Sequence, residues 1–161
     1  MKRSIEINAS QDLPTSMLKE SIKAASTAGA FYKYIAEQIR NGFIRRKFIR
    51  FSDEESKKHA NILNDRLTLS EDQARIPGQE KPDAYNDVSS YSLIGAFHVA
   101  KESARKIIMM CKGIKKKDVG HSEMYDEIIK DEKIYYKAVK MEENFPRSEH
   151  LYDGDRNIEN K

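Results

Sequence analysis

Glu55 and His59, which lie four residues apart, are the side chains of this sequence best placed to do chemistry. At 100° per residue of helix they share one stripe with Phe48 and Phe51, so both are expected to point toward the interior. An inward carboxylate and imidazole cost free energy unless they are paired, protonated or bound to a metal ion. The spacing therefore predicts a buried hydrogen-bonded pair or a metal site on this helix.

A second inward polar pair, Glu132 and Tyr135, lies on a stripe that also carries Ile128 and Val139. Glu132 would add a second carboxylate to the candidate site. A tyrosine ligates only as the phenolate, a form that a strongly Lewis-acidic ferric ion can induce. Glu132 is therefore a candidate ligand, and Tyr135 is a further one of lower rank.

Two interpretations of these inward residues remain open. In the first, which the sequence favours, Glu55, His59, Glu132, Tyr32 and Tyr135 form a buried hydrogen-bonded cluster without a metal. In the second, Glu55, His59 and Glu132 hold one iron, zinc or manganese ion, for which two carboxylates and one imidazole are a suitable set. His98, on the outer side of its helix, and His121 and His150, in a loop and a tail, are not predicted ligands.

Four segments with the periodicity of amphipathic helices must position these side chains. They run from about 16 to 40, 43 to 67, 90 to 112 and 122 to 143, with Asn41-Gly42 ending the first and Gly113 the third. Short turns join the first two and the last two, whereas the proline-containing residues 68–89 form a long crossover. This loop pattern predicts an all-α, antiparallel four-helix bundle with one long crossover between helices 2 and 3.

Composition agrees with one bundle domain. The chain has 161 residues, 34% of them charged and 39% hydrophobic, as expected of long amphipathic helices. We expect an N-terminal extension of residues 1–14, a bundle of residues 15–143 and a polar tail of residues 144–161. The single cysteine, Cys111, excludes an internal disulfide, and no segment has the length or composition of a signal or membrane span. The sequence thus predicts a cytoplasmic protein without a membrane partner.

The net charge of +3 is small, but the cations are clustered between residues 40 and 50 and between residues 101 and 117. In the predicted topology these clusters lie at opposite ends of the bundle, so they do not form one nucleic-acid surface. We favour solvated helix ends, and expect a homo-oligomer or a protein partner instead of nucleic acid. The cations that a nucleic acid would use are Arg45, Arg46, Lys47, Lys115, Lys116 and Lys117.

The first two helices resemble the rubrerythrin-like branch of the ferritin-like proteins. Residues 21–32, SIKAASTAGAFY, lie on the family frame A-I-x-x-E-x-x-A-x-x-F-Y. In the second helix, the frame F-x-x-L-A-x-E-E-x-x-H-x-x-x-L is matched at its start by Phe48, Phe51 and Ser52 and, with one additional residue between the two parts, by Glu55, His59 and Leu63. A weaker likeness, in register, continues through the other two helices to about residue 143. The resemblance implies a ferritin-like bundle around a centre of two iron or manganese ions.

Most of the metal ligands that the resemblance implies are missing from this chain. Of the family's four Glu and two His ligands, only His59 and Glu132 remain, and Glu55 matches the acid that precedes a ligand. The departures are Ala25, Ser56, Ala100 and Tyr135. The sequence therefore predicts a non-catalytic structural or interaction protein without a cofactor. The alternative is a rubrerythrin-like oxidoreductase that reduces peroxide or oxidises ferrous iron at a reduced, single-metal site.

Overall fold

Four long helices make up the computed structural model, which describes residues 14–71 and 88–144. Helix α2 has three consecutive parts, of which the middle one is π-helical, and short 3-10 turns precede α3 and α4. The bounds are Thr15–Gln38 for α1, Gly42–Asp53, Glu54–His59 and Ala60–Glu71 for α2, Leu93–Lys117 for α3, and Ser122–Glu143 for α4. The all-α four-helix bundle is thereby confirmed. The predicted N-terminal extension, most of the crossover and most of the tail lie outside the described residues.

Side-chain caps fix the turn between α1 and α2. The Asn41 side chain accepts hydrogen bonds from the backbone N–H groups of Phe43 (2.9 Å) and Ile44 (3.1 Å), as an N-cap residue does. The Arg45 guanidinium donates to the Ile39 carbonyl through Nε and a terminal nitrogen, which satisfies a carbonyl at the end of α1. The predicted short connection at Asn41-Gly42 therefore follows from local chemistry.

The prediction that Gly113 ends the third helix is wrong, because α3 continues to Lys117. A Cβ atom on Gly113 would lie 2.7 Å from Met17 Cε on α1. This glycine thus reflects close packing between α1 and α3 and does not act as a helix cap. Residue type alone could not distinguish the two roles, since a helix-ending and a closely packed glycine look the same in a sequence.

Contacts at both ends show how the two hairpins are arranged. The Tyr91 ring, just before α3, lies 4.9 Å from the ring of Phe31 near the end of α1. At the other end of the bundle Arg66 of α2 pairs with Asp118, which follows α3. Helix α3 is therefore parallel to α2, and the two predicted basic clusters lie at opposite ends. Among the described residues, no helix combines the length and apolar composition of a bilayer span.

The apolar core consists of two clusters with a buried polar layer between them. One cluster contains Leu18, Leu63, Ile107, Ile114 and Tyr125, and the other Phe31, Tyr32, Phe48, Phe51, Phe97 and Val139. Burial of these large side chains supplies most of the driving force for folding, at about 25 cal/mol per Å² of apolar surface. Glu55, His59 and Glu132 belong to the polar layer, so the bundle holds ionisable groups at its centre.

Asp118 joins α2 to the turn between α3 and α4. Its carboxylate accepts two hydrogen bonds from Arg66 (2.6 and 2.9 Å), one from the Tyr125 hydroxyl (2.8 Å) and one from His121 Nδ1 (3.1 Å). Burial raises the pKa of Asp118, but the hydrogen bonds from Arg66, Tyr125 and His121 outweigh it and lower the pKa to about 2. The ionised carboxylate therefore stabilises the folded state.

Asp118→Asn is expected to lower the free energy of unfolding by about 2 kcal/mol at neutral pH. A lowered folded-state pKa gives stability that is present above the unfolded pKa of about 4 and is lost as the pH falls toward 2. The difference between wild type and variant should therefore shrink over that range. Urea denaturation at several pH values measures it, and a difference that persists unchanged at low pH would contradict the assignment.

Candidate metal centre

The π-helical part of α2, Glu54–His59, places two ionisable side chains in the interior. The N–H of Ala60 bonds to the Glu55 carbonyl, five residues back, where an α-helix would use the carbonyl four residues back. Glu55 and His59 are both 0% exposed. Ser56 instead donates to the Ser52 carbonyl at 2.9 Å and lies toward α1. The inward position is therefore held by Glu55 and not by Ser56.

Gly29 of α1 allows the close approach of this part of α2. The Ser52 hydroxyl donates to the Gly29 carbonyl at 2.7 Å. A Cβ atom on Gly29 would overlap Ser56 Oγ and would lie 3.3 Å from the Ser52 carbonyl oxygen and 3.5 Å from Glu55 Cβ. The absence of a side chain at position 29 thus sets the distance between α1 and the segment that carries Glu55.

Gly29→Ala is expected to destabilise the protein by about 1–3 kcal/mol, because the added methyl group crowds α2. Gly113→Ala is the matched control: its methyl group meets only the flexible end of Met17, and the higher helix propensity of alanine contributes up to about 1 kcal/mol in its favour. Adding Ser56→Ala to Gly29→Ala removes the overlapping oxygen and should restore part of the loss. Equal unfolding free energies for the two alanine variants would show that Gly29 does not set this contact.

His59 connects α2 to α4 through both ring nitrogens. Its Nδ1 contacts Glu55 Oε1 and lies 2.9 Å from Glu132 Oε2. Its Nε2 lies 3.0 Å from Asp131 Oδ2, which also accepts a hydrogen bond from Lys58 Nζ at 3.2 Å. Since an ionised Asp131 can only accept, Nε2 carries the proton of that bond. Nδ1 therefore faces two carboxylates, and this arrangement needs a proton or a cation between the three groups.

Burial sets the ionisation of these groups. It raises the pKa of Glu55 to about 8, and burial together with the charge of Glu55 raises the pKa of Glu132 well above its usual range. Burial lowers the pKa of His59, but hydrogen bonds and charge from Glu132 and Asp131 outweigh this and raise it. For Asp131, burial raises the pKa, and the hydrogen bonds of His59 and Lys58 reverse the shift and lower it. In a metal-free state, the two buried glutamates therefore retain protons more readily than exposed ones.

The two tyrosines of the layer differ in their hydroxyl partners. Tyr135 donates to Glu54 Oε1 at 2.7 Å, so its hydroxyl is engaged with a partly exposed carboxylate. The Tyr32 hydroxyl has no partner among the described residues, and the same is true of Glu55 Oε2 and Glu132 Oε1. Buried oxygens without partners are rare in proteins and indicate an ion, a water molecule or a proton that they would share.

The residues of the layer fit one metal ion. One ligand atom each from Glu55, His59 and Glu132 lies within 4.8 Å of the other two, and no other group of this kind occurs in the described part of the chain. His59 Nδ1 would be the ligating nitrogen, because Asp131 holds Nε2. A carboxylate that fixes the second nitrogen of a ligating histidine is a common feature of metal sites. Two glutamates and a neutral imidazole also balance the charge of a divalent cation.

The described residues offer no comparable set of ligands for a second ion. Ala25 and Ala100 are fully buried and have no ligating atom, and Ser56 faces α1. None of these three positions supplies a carboxylate. Cys111 is buried in the apolar core, where burial raises the pKa of its thiol to about 12.

A family model for rubrerythrin matches residues 16–143, which include all four helices. The chain belongs to the rubrerythrin family. No curated protein and no solved structure matched the chain. Membership in the rubrerythrin family confirms the resemblance drawn from the motifs, including its predicted continuation through the last two helices to about residue 143.

The π-helical turn explains how this rubrerythrin-family chain departs from the Glu-x-x-His spacing of its relatives. A π-helical turn contains about one residue more than an α-helical turn. Glu55 and His59 both face the centre, and Ser56, where the family frame places a glutamate, faces α1. Periodicity at 100° per residue already placed Glu55 and His59 on the inward stripe, but it could not indicate the π-helical turn, because it assumes a regular helix.

The structure places the predicted residues as follows. Glu55, His59 and Glu132 are brought together, whereas the Tyr135 hydroxyl is directed to Glu54. His121 pairs with Asp118, away from the centre. Asp131 was missed because it lies beside the inward stripe, and its contact with His59 depends on the packing of α2 against α4. His98 lies on the exposed side of α3, and His150 falls outside the described residues.

Proposed function

We propose that this rubrerythrin-family protein binds a single metal ion at Glu55, His59 and Glu132, and that it acts as a non-catalytic, metal-stabilised bundle. The observation that carries the proposal is the environment of His59: Asp131 holds Nε2 at 3.0 Å, and Nδ1 faces two buried carboxylates. A cation bound to Nδ1 and both glutamates would remove the conflict between these charges. Iron, zinc and manganese suit this ligand set.

Burial of the three ligands supports a structural role over turnover. All three side chains are 0% exposed and lie between two apolar clusters, so a substrate would have to displace core residues to reach the ion. A bound ion that stabilises the folded state need not exchange ligands. It would also leave the surface of the bundle free for assembly with a partner.

Metal analysis of protein purified without chelator tests the proposal. We expect about one equivalent of metal, removable by a chelator and restored by added zinc or ferrous iron, with a higher thermal unfolding temperature in the loaded form. His59→Ala should abolish binding, whereas His98→Ala, on the exposed side of α3, should not. A stoichiometry near zero that titration does not raise would contradict the proposal. A stoichiometry near two would instead indicate that further residues ligate a second ion.

A second candidate function is a metal-dependent oxidoreductase that reduces peroxide or oxidises ferrous iron. It is favoured by one observation: three protein ligands leave coordination positions that an external ligand could occupy. Iron-loaded protein that consumes hydrogen peroxide or oxidises excess ferrous iron over many turnovers, with loss of both in His59→Ala, would support this candidate. A single oxidation per bound iron would support the non-catalytic proposal.

A further inference from the structure

The Tyr32 hydroxyl is a fully buried polar group without a hydrogen-bond partner among the described residues. The side-chain oxygens that share this property include Glu55 Oε2 and Glu132 Oε1, both on candidate metal ligands. A buried hydroxyl without a partner destabilises the folded state. Its burial on α1, a helix that carries none of the other three ligands, therefore needs an explanation that the three-ligand site does not supply.

Contacts place the Tyr32 side chain at the same centre. Its ring lies 5.6 Å from that of Phe51 and 5.9 Å from that of Tyr135, and the Tyr135 ring lies 5.9 Å from the imidazole of His59. Burial and, after it, the charges of Glu132 and Glu55 raise the pKa of the Tyr32 hydroxyl. Tyr135 has a different role, because its hydroxyl donates to Glu54 at 2.7 Å.

We propose that the Tyr32 oxygen is the fourth protein ligand of the metal ion and that it enables the site to hold ferric iron. This inference rests on the proposed function. Two glutamates balance a divalent ion, and a phenolate adds the third negative charge that a ferric ion requires. On binding of ferric iron the Tyr32 hydroxyl would lose its proton to solvent, because a bound trivalent cation strongly favours the phenolate over the phenol.

Ferric loading of the full chain, with ferric nitrilotriacetate as the iron source, tests the role of Tyr32. Wild type should develop the visible charge-transfer absorption of an iron phenolate, with phenolate vibrations in the resonance Raman spectrum. Tyr32→Phe should lose both signals. It should keep its helical circular dichroism and bind zinc within about tenfold of wild type, since Glu55, His59 and Glu132 remain. Tyr135→Phe, which removes the other phenol of the layer, should keep the absorption.

The possible results separate this inference from the proposed function. Wild type that binds zinc and ferric iron without the phenolate absorption overturns the role of Tyr32 and leaves the single-metal site standing. Absorption that survives in Tyr32→Phe and disappears in Tyr135→Phe also overturns it and assigns the phenolate to Tyr135. Wild type that binds neither zinc nor iron overturns both proposals. Loss of the absorption in Tyr32→Phe alone, with zinc binding preserved, supports Tyr32 as the ligand.

Discussion

With a chelator present, the free energy of unfolding is expected to fall as the pH rises from about 5 to about 8, by on the order of 3 kcal/mol. Glu55 has a folded-state pKa of about 8, far above its value of about 4 in an unfolded chain. Between these values the folded state keeps a proton that the unfolded state has lost, so stability decreases with pH. Glu132 is shifted in the same direction.

His59 makes the stability fall with rising pH, as Glu55 and Glu132 do. The pKa of His59 is raised in the folded state. Its contribution to the free energy of unfolding is therefore full below the unfolded pKa of about 6.5 and is lost as the pH rises through the folded-state pKa. Asp131 has a lowered pKa and changes stability only in more acidic solution. Tyr32 and Cys111, whose pKa values are raised, stay protonated throughout the range.

Saturating zinc should reverse this trend. Metal binding requires deprotonated glutamates and a free Nδ1 on His59, so the apparent affinity rises with pH and adds to the free energy of unfolding. Urea denaturation at several pH values gives the free energy of unfolding as a function of pH, once with chelator and once with zinc. Parallel curves would contradict a metal site built from these residues, and a chelated protein whose stability rises with pH would contradict the raised pKa values.

Glu132→Gln is expected to weaken zinc binding by at least about 100-fold, because removal of a direct ligand should cost no less than the 10–100-fold typical of outer partners. The same change should stabilise the chelated protein at pH 8 by about 1–2 kcal/mol, since it removes one of two buried carboxylates that compete for His59 Nδ1. Calorimetric zinc titration and urea denaturation measure the two effects.

Glu127→Gln is the matched control for this change, because Glu127 lies on the same helix and only pairs with Lys58 at the surface, at 3.4 Å. It should leave zinc affinity unchanged and alter stability by at most about 1 kcal/mol. If Glu132→Gln destabilised the chelated protein and spared zinc binding, Glu132 would be a structural hydrogen-bond partner and not a ligand. A substitution that weakens zinc binding and at the same time stabilises the metal-free protein is expected only for a ligand that is strained without its metal.

The sequence by itself determined the four helices, their approximate ends and the inward position of three ionisable side chains. Hydrophobic periodicity is a local property of each helix, so Glu55, His59 and Glu132 could be assigned to interior faces without knowledge of the packing. Loop lengths then limited the topology to a bundle with one crossover. The family frames supplied the expected ligand positions, at four of which this chain has another residue type.

Only the tertiary structure decided which of these residues meet and what surrounds them. The π-helical turn, the close approach at Gly29 and the contact of Asp131 with His59 depend on how α1, α2 and α4 pack together. A single sequence does not encode such distances in any local pattern, because they arise from the joint packing of side chains that are far apart along the chain. The chemistry suggested by Glu55 and His59 therefore became specific only when α4 brought Glu132 and Asp131 to the two sides of the imidazole.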